Sequence, residues 1–595
     1  MSAWAGRQIP DSTTSRLQPP ILPFFALLPR ILPPLAAPDS NCKPGAADFS
    51  NSYTNMRHGC RTSAAYPDPA QATKSRLLCT THGQGEPTGA HRHNCSNGRR
   101  VARLIVVSNR VAAPDQGSSG GLAVGLLAAL SGPDGGIWFG WSGKTQDKPS
   151  LQPTVQQKDA IRFVTIDLPK RNFDAYYNGF CNSSLWPVHH YFPGAFRYEA
   201  SEYEAYLEVN RYFAQALVKL IRNDDIVWIH DYQLIPLGRM LREAGVNARI
   251  GYFLHIPYPN IAVLRLLPPY ADLVRDMCKY DLVGFQTQED LEGFQSAVKA
   301  VCMDACAFYD DDMHVEGRRI GTGVFPIGVD VDVIAQQAEE AERNDDQIKR
   351  LVRSMLGRQL LLGVDRLDYS KGLLERFNAY ESLLESVPDL QGNISFVQIA
   401  PLSRINVAAY VDIRDALERT AGHINGKFAD ADWTPIRYLN KDFSHQTLSG
   451  FLRISDVGFV TPVRDGMNLV AKEFVAAQDP ADPGVLVLSV LAGAAQELSE
   501  GALLVNPYDK TAVALALHQA LVMPLEERKM RHAVMLQSLH QNSISHWQES
   551  FVDRLSAISP SFVTAWNPKK RAAPAPLWSP GSEVPKVGTR DALGG

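Results

Sequence analysis

At 595 residues the chain is too long for one ordinary hydrophobic core, so two domains plus appendages are expected. Hydrophobic content of 45% with 21% charged residues belongs to a soluble globular protein, and a formal net charge of −4 excludes a general nucleic-acid binder, which would carry a basic excess. The eight cysteines include no CxxC pair, which excludes a disulfide scaffold and makes a reducing cytoplasm the expected compartment.

The first hundred residues carry no recognisable element. Pro19 to Pro38, PPILPFFALLPRILPPLAAP, is apolar but broken repeatedly by proline and once by Arg30, so it fits neither a membrane-spanning helix nor a signal-peptide core. Asn41 to Arg100 is rich in Ser, Thr, Asn, Gly, His and Pro and has no hydrophobic period, the composition of a disordered segment. Residues 1–100 are therefore expected to be a disordered extension, an over-extended reading frame or dispensable leader, with the functional protein starting near Val101. Abundant peptides from before Arg99 in mass spectrometry of the natural protein would defeat that expectation.

Apolar strand-like runs then recur at Leu104 to Ser108, Ile226 to Ile229, Ile250 to Leu254, Leu282 to Phe285, Leu360 to Val364, Ile394 to Ala400, Val457 to Val460, Val485 to Ser489 and Leu503 to Val505. Segments with helical period lie between many of them, such as Tyr203 to Ile221 and Gln233 to Glu243. Continuous apolar strands alternating with amphipathic helices build parallel sheets covered on both faces. The fold class is α/β, with two doubly wound Rossmann-like domains facing across a cleft. A charged helical stretch, Val333 to Met355, separates two groups of strands and puts the domains at 101–335 and 336–565, with a loose Pro/Ala/Gly-rich tail at 566–595.

The first domain opens with LIVVSNRVAAPDQGSSGGLAVGLLAAL. Arg110 follows the strand, and Gly120 and Gly121 precede a helix-like run. Their spacing is neither a P-loop nor a dinucleotide fingerprint, which leaves a plain flexible turn or a loop tipped by Arg110 that folds over a ligand. In DAYYNGFCNSSLWPVHHYF, the residues Tyr176, Tyr177, Trp186, His189 and His190 suit the face of a sugar and equally suit a core. DDIVWIHDYQLIPL sets His230, Asp231 and Tyr232 at a strand end, and GYFLHIPYP does the same for His255; polar groups there mark sites in open α/β sheets. None of these histidines has HExxH-like spacing, so no metal is expected. Cys302 and Cys306 could share a helix face, but no histidine is near, and Asp310-Asp311-Asp312 reads as an exposed turn.

Two loops of the second domain carry the strongest signal. Between Leu360 and Phe377, LLLGVDRLDYSKGLLERF puts Arg366 and Lys371 on the loop after a buried strand. A planar fork and a point charge together suit a pyrophosphate, although a strand-end ion pair with Asp365 or Asp368 accounts for them equally well. Val457 to Gln478, VGFVTPVRDGMNLVAKEFVAAQ, runs from a strand through Arg464-Asp465-Gly466 into a helix beginning near Asn468, whose first amides and dipole would face an anion. Gly466 would let the main chain approach that anion, Asp465 would meet sugar hydroxyls, and Glu473, a turn into the helix, would meet paired ribose hydroxyls. Two such loops at strand ends point to a nucleotide-diphosphate site.

Taken together, the segments VVSNR, GGLAVG, FGWSG, YYN-F-N--LWP, WIHDY-L-P, FLHIP-P, RLDYSKG, IAP-SR, INGK and V-P-RDGMNLVAKE closely resemble the trehalose-6-phosphate synthase family, retaining glucosyltransferases of the GT-B fold, over about Arg103 to Val563. The resemblance implies transfer of glucose from a nucleotide sugar, usually UDP-glucose, to glucose 6-phosphate, giving α,α-trehalose 6-phosphate. It also implies retention by front-face attack, no metal or other cofactor, no membrane or nucleic-acid partner, and a homo-oligomer, dimer or tetramer. By motif match, Arg366 and Lys371 hold the donor pyrophosphate, with Asn468, Leu469 and Val470 capping it and Glu473 holding the ribose. Phe443 lies near the base, Asp465 and His255 bind donor-sugar hydroxyls, and the Gly120–Gly121 loop closes above. Arg110, Tyr177, Trp186 and Arg404 match the acceptor-phosphate pocket and Asp231 the residue on acceptor hydroxyls. Arg366, Lys371, Asp231, His255 and Asp465 are thus the expected catalytic set. The segment NIAVLRLLP departs from the family pattern at the lip of the donor site. Two rivals remain: the same donor chemistry with glycerol 3-phosphate as acceptor, and a non-catalytic sugar-phosphate sensor, against which the presence of all the donor-site charges speaks.

Overall fold

The computed structural model describes residues 102–111, 121–130, 135–147, 152–309, 311–404 and 407–559. The expectations for residues 1–100 and 566–595, for Gly120 and for Asp310 lie outside them.

Two sheets organise the described chain. The first contains β1 (Leu104–Arg110), β2 (Gly136–Gln146), β3 (Thr154–Lys158), β4 (Ile161–Pro169), β5 (Ile226–His230), β6 (Arg249–Phe253), β7 (Leu282–Phe285), β8 (Cys306–Phe308), β9 (Asp312–Val315) and β10 (Arg318–Val324). Its order is β3-β4-β2-β1-β5-β6-β7-β10-β9-β8, parallel from β4 to β10 with antiparallel strands at both edges. The second contains β11 (Gln359–Val364), β12 (Ile394–Ile399), β13 (Ile436–Leu439), β14 (Val457–Val460), β15 (Val485–Ser489) and β16 (Leu503–Val505), all parallel in the order β13-β12-β11-β14-β15-β16. All nine runs expected from apolar pattern are strands. Their side chains, such as Ile105, Val106 and Val107 of β1, are buried on both faces, which is what a parallel sheet between helical layers requires.

The strand order fixes where ligands can sit. In the second sheet the chain winds outward from β11 to β13 and then returns to lay β14 on the other side of β11. In the first, β2 and β5 flank β1 in the same way. Both are reversal points, where loops at neighbouring strand ends part and leave a crevice. Arg366 and Asp465 follow β11 and β14; Arg110 and Asp231 end or follow β1 and β5.

Several expected elements differ in detail. The charged stretch Val333 to Met355 is two helices, Val331–Asn344 and Asp346–Met355, because the Asp345 side chain leaves the first helix to cap the second at the Gln347 amide (2.7 Å). The first of them packs on the helix His445–Arg453, where a Cβ on Gly450 would lie 2.7 Å from the Ala341 methyl. The expected helix Gln233 to Glu243 starts at Leu237, after Pro236 and a short 3-10 turn at Tyr232–Leu234. Cys302 ends its helix and Cys306 begins β8, so the two do not share a helix face. Asp312 is on strand β9 rather than in a turn and pairs with Arg319 and Arg554. The final described helix, Ile544–Ala557, crosses back to the first sheet: Phe551 stacks on Trp228 (4.7 Å) and Trp547 meets Phe253 edge-on (5.3 Å). Among the described residues no helix is long and apolar enough to cross a membrane.

Candidate active site

On the second-lobe wall, Arg366 is exposed and makes no ion pair or hydrogen bond with any described residue. The alternative of a strand-end ion pair with its neighbours is not what forms. Asp365 is taken by the buried Arg376 (2.9 Å), Asp368 by Arg404 (2.8 Å), and Lys371 reaches across to Asp465 on the neighbouring loop (2.5 Å). Burial works to raise the pKa of Asp368, but the cations around it, Arg404, Arg366 and Lys371, hold it below the ordinary value. Arg366 therefore stands as an uncompensated cation within the field of an ionised, fully buried carboxylate.

The second loop is built as expected in outline. Asn468 adopts a left-handed conformation (φ 75°) and caps the helix Leu469–Ala477 by accepting from the Ala471 amide (3.2 Å), leaving the Leu469 and Val470 amides without intrahelical acceptors. Its own amide donates to Asp465 Oδ2 (3.0 Å), so one oxygen of Asp465 serves both Asn468 and Lys371. Gly466 has a different reason from the one expected. A Cβ there would lie 2.3 Å from the His255 carbonyl oxygen, so glycine is needed where this loop abuts the main chain of the other lobe. Glu473 and Phe443 make their contacts apart from this cluster: Glu473 faces His445 (3.6 Å), and Phe443 packs edge-on against Phe451 (5.2 Å).

The first-lobe wall is aromatic. Tyr177 lies on a π-helical segment, Asp174–Leu185, that runs directly into Trp186. Tyr177 stacks on Phe173 (5.2 Å), Phe173 packs on Trp141 (4.6 Å), and the exposed Arg110 guanidinium lies over Trp141 (5.9 Å), so these residues form one ladder. Trp186 is where the walls meet. His190 stacks on its ring (3.9 Å), while Arg404 (3.8 Å) and Arg366 (5.9 Å) approach it from the second lobe. Arg404 is almost wholly buried, bonded to Asp368, Tyr410 and the Tyr232 hydroxyl (3.3 Å), yet its Nε hydrogen, like that of the Trp186 indole, has no partner among the described residues.

Asp231 follows β5 with φ 77°, a strained conformation for a non-glycine residue, and receives the His255 amide (3.3 Å). Burial raises its pKa to about 6. His255 is pushed down to about 3 by burial, as are His190 to about 3 and His189 to about 4, so these imidazoles are neutral. His189 and His230 are core groups: His189 bonds the Pro257 carbonyl (2.8 Å), and His230 lies against Trp228. Among the described residues no cluster of His, Cys, Asp or Glu could hold a metal ion. Sequence pattern missed Tyr410 altogether, had His190 only as one of several rings that suit a sugar or a core, and had Asp368 only as an ion-pair partner for the loop cations.

The arrangement offers fixed positive charge on one wall and stacked rings with a strained carboxylate on the other. Trehalose-6-phosphate synthase of Citrobacter koseri is 48% identical over 464 residues, covering 77% of this chain and 96% of that protein. The crystal structure of an alpha,alpha-trehalose-phosphate synthase (UDP-forming) from Burkholderia xenovorans in complex with glucose-6-phosphate is 46% identical, with a TM-score of 0.74, covering 77% of this chain and 100% of that one. An E. coli structure bound with UDP-2-fluoro glucose is 47% identical, with a TM-score of 0.74 and the same coverage. The family model described as glycosyltransferase family 20 matches residues 100–557, and the chain belongs to that family.

Proposed function

We propose that this glycosyltransferase moves glucose from UDP-glucose to the anomeric hydroxyl of glucose 6-phosphate with retention, releasing UDP and forming α,α-trehalose 6-phosphate. The observation that carries the reading is Arg366, a cation with no partner among the described residues, at the reversal point of the second sheet and within reach of Trp186 across the cleft. The names and bound ligands of the relatives support the same donor and acceptor.

In this reading the departing diphosphate develops charge as the glycosidic bond lengthens, and Arg366, Lys371 and the Leu469 and Val470 amides neutralise it. The incoming diphosphate competes with Asp465 for Lys371 and frees that carboxylate for a sugar hydroxyl. Glu473 takes the ribose, Phe443 flanks the base, and His255 contacts the donor sugar. Arg110 and Tyr177 border the acceptor phosphate, and Arg404 offers it the unpartnered Nε hydrogen above Trp186. Asp231, ionised, accepts from an acceptor hydroxyl. With no carboxylate assigned as covalent nucleophile, attack proceeds from the leaving-group face and the diphosphate takes the acceptor's proton.

The test offers purified protein UDP-, ADP- and GDP-glucose against glucose 6-phosphate and glycerol 3-phosphate, with products resolved by NMR. Trehalose 6-phosphate with both anomeric linkages α, from UDP-glucose and glucose 6-phosphate, is expected. A β-linked product, or turnover confined to glycerol 3-phosphate, refutes the reading.

A further inference from the structure

We infer that Gln286 is a positioning residue for His255: anchored at Ile327 on the connection between the lobes, it fixes which imidazole nitrogen carries the proton. The inference rests on the reading above, in which His255 touches the donor sugar.

The argument starts from a group whose polarity is not in question. The Ile327 backbone amide can only donate, and it donates to the Gln286 side chain (2.9 Å), so the oxygen of that side chain faces Ile327. The Gln286 nitrogen must then face the other way, and it lies 3.4 Å from His255 Nδ1. An amide nitrogen donates, so Nδ1 is the acceptor and the proton of the neutral ring sits on Nε2. That proton is directed at His230 Nδ1 (3.1 Å), which places the His230 proton on Nε2, a buried atom with no acceptor, among the rings of Trp228 (4.5 Å) and Trp547 (6.2 Å). Burial keeps both imidazoles neutral. Turning the His255 ring over would exchange Nδ1 for Cδ2–H against the Gln286 amide and Nε2 for Cε1–H against His230, losing both hydrogen bonds, so one tautomer and one orientation are selected together.

The same peptide ties this relay to the nucleotide wall. The Ile327 carbonyl accepts from the ammonium of Lys472 (2.8 Å), a fully buried residue next to Glu473 whose other partner among the described residues is Glu497 (2.6 Å). No step of the proposed transfer uses Lys472. Its position instead registers the helix Leu469–Ala477 against Ile327, and through Gln286 against His255.

Gln286→Glu tests this, since it keeps an oxygen for the Ile327 amide but replaces the donor to Nδ1 with an acceptor. Protein labelled with 15N-histidine, without substrate, should show wild-type His255 deprotonated at Nδ1 and protonated at Nε2, and the variant protonated at Nδ1. kcat/KM for UDP-glucose should fall roughly tenfold, the order of one lost hydrogen bond, while KM for glucose 6-phosphate stays at its wild-type value; Tm should fall, because a carboxyl replaces an amide at a buried position. Wild-type Nδ1 protonation, an unchanged pattern in the variant, or equal losses for donor and acceptor would each overturn the inference. A wild-type protein inactive with UDP-glucose would instead refute the functional reading, because the ring shifts report the tautomer independently of turnover.

Discussion

The two walls of the cleft solve opposite problems with similar backbone devices. Both place polar residues on loops after parallel strands at a reversal of strand order. On the first-lobe wall burial works against charge: His189, His190 and His255 are neutral, and the Asp231 pKa is raised to about 6. On the second-lobe wall ions survive, because Asp368, Arg404, Lys371 and Asp465 pair with one another and leave Arg366 over. A wall of rings and neutral groups suits sugar; a wall with one surplus cation beside a helix N-terminus suits a leaving diphosphate.

If that contrast is functional, Arg366→Ala should produce the largest effect. Removing the surplus cation should lower kcat about a thousandfold while leaving Tm nearly unchanged, since Arg366 is exposed and makes no ion pair or hydrogen bond with a described residue. Near-normal turnover would erase the distinction between the walls. Arg404→Ala should behave differently, because it strips the partner from a buried carboxylate. We expect a loss of about 3 kcal/mol in unfolding stability, at the low end for a broken buried pair because the Tyr410 hydroxyl and Ser370 amide remain on Asp368, together with a raised KM for glucose 6-phosphate. Unchanged denaturant stability would show that the pair is not what keeps Asp368 ionised.

Asp231→Asn sharpens the comparison on the other wall. The folded pKa lies above the ordinary 3.8, at about 6, so the native state binds the extra proton between those values and stability falls as pH rises through that window. Above it the cost is fully present. Asparagine should therefore stabilise the protein by about 1 to 2 kcal/mol at pH 8, a figure reduced for partial exposure, and by nothing below pH ~4. Activity should fall in the same variant. A stability gain that is independent of pH would locate the strain in the backbone rather than in the charge. The smallest expected effect is from EDTA: Arg366, Lys371 and the helix amides supply the neutralising charge in the proposed transfer, so turnover should be unchanged, and a loss restored by magnesium would refute that assignment.

Much of the architecture was legible in the chain itself. Every apolar run chosen as a strand is one, because a strand buried on both faces must be apolar throughout and leaves an unmistakable pattern. β2 to β4, β8 to β10 and β13 escaped notice: β3, β8 and β13 are edge strands with partly exposed faces, β9 and β10 mix polar with apolar residues, and β2 and β4, though largely buried, are interrupted by glycine or polar residues. The π-helical turn beneath Tyr177 has no hydrophobic period by which to find it.

At the site, residue types and loop positions were readable, and pairings were not. The chain by itself determined that Arg366 and Lys371 follow one strand and Asp465 and Asn468 another, since strand, turn and helix are local matters of pattern and capping. Only the tertiary structure decided that Lys371 spends its charge on Asp465, that Arg404 belongs to Asp368, that Arg366 is left over, and that Gly466 is glycine because His255 lies against it. Those outcomes depend on which strand ends become neighbours and how closely two lobes meet, contacts between residues 36 positions apart for Arg404 and Asp368 and 94 for Lys371 and Asp465, which no local pattern encodes.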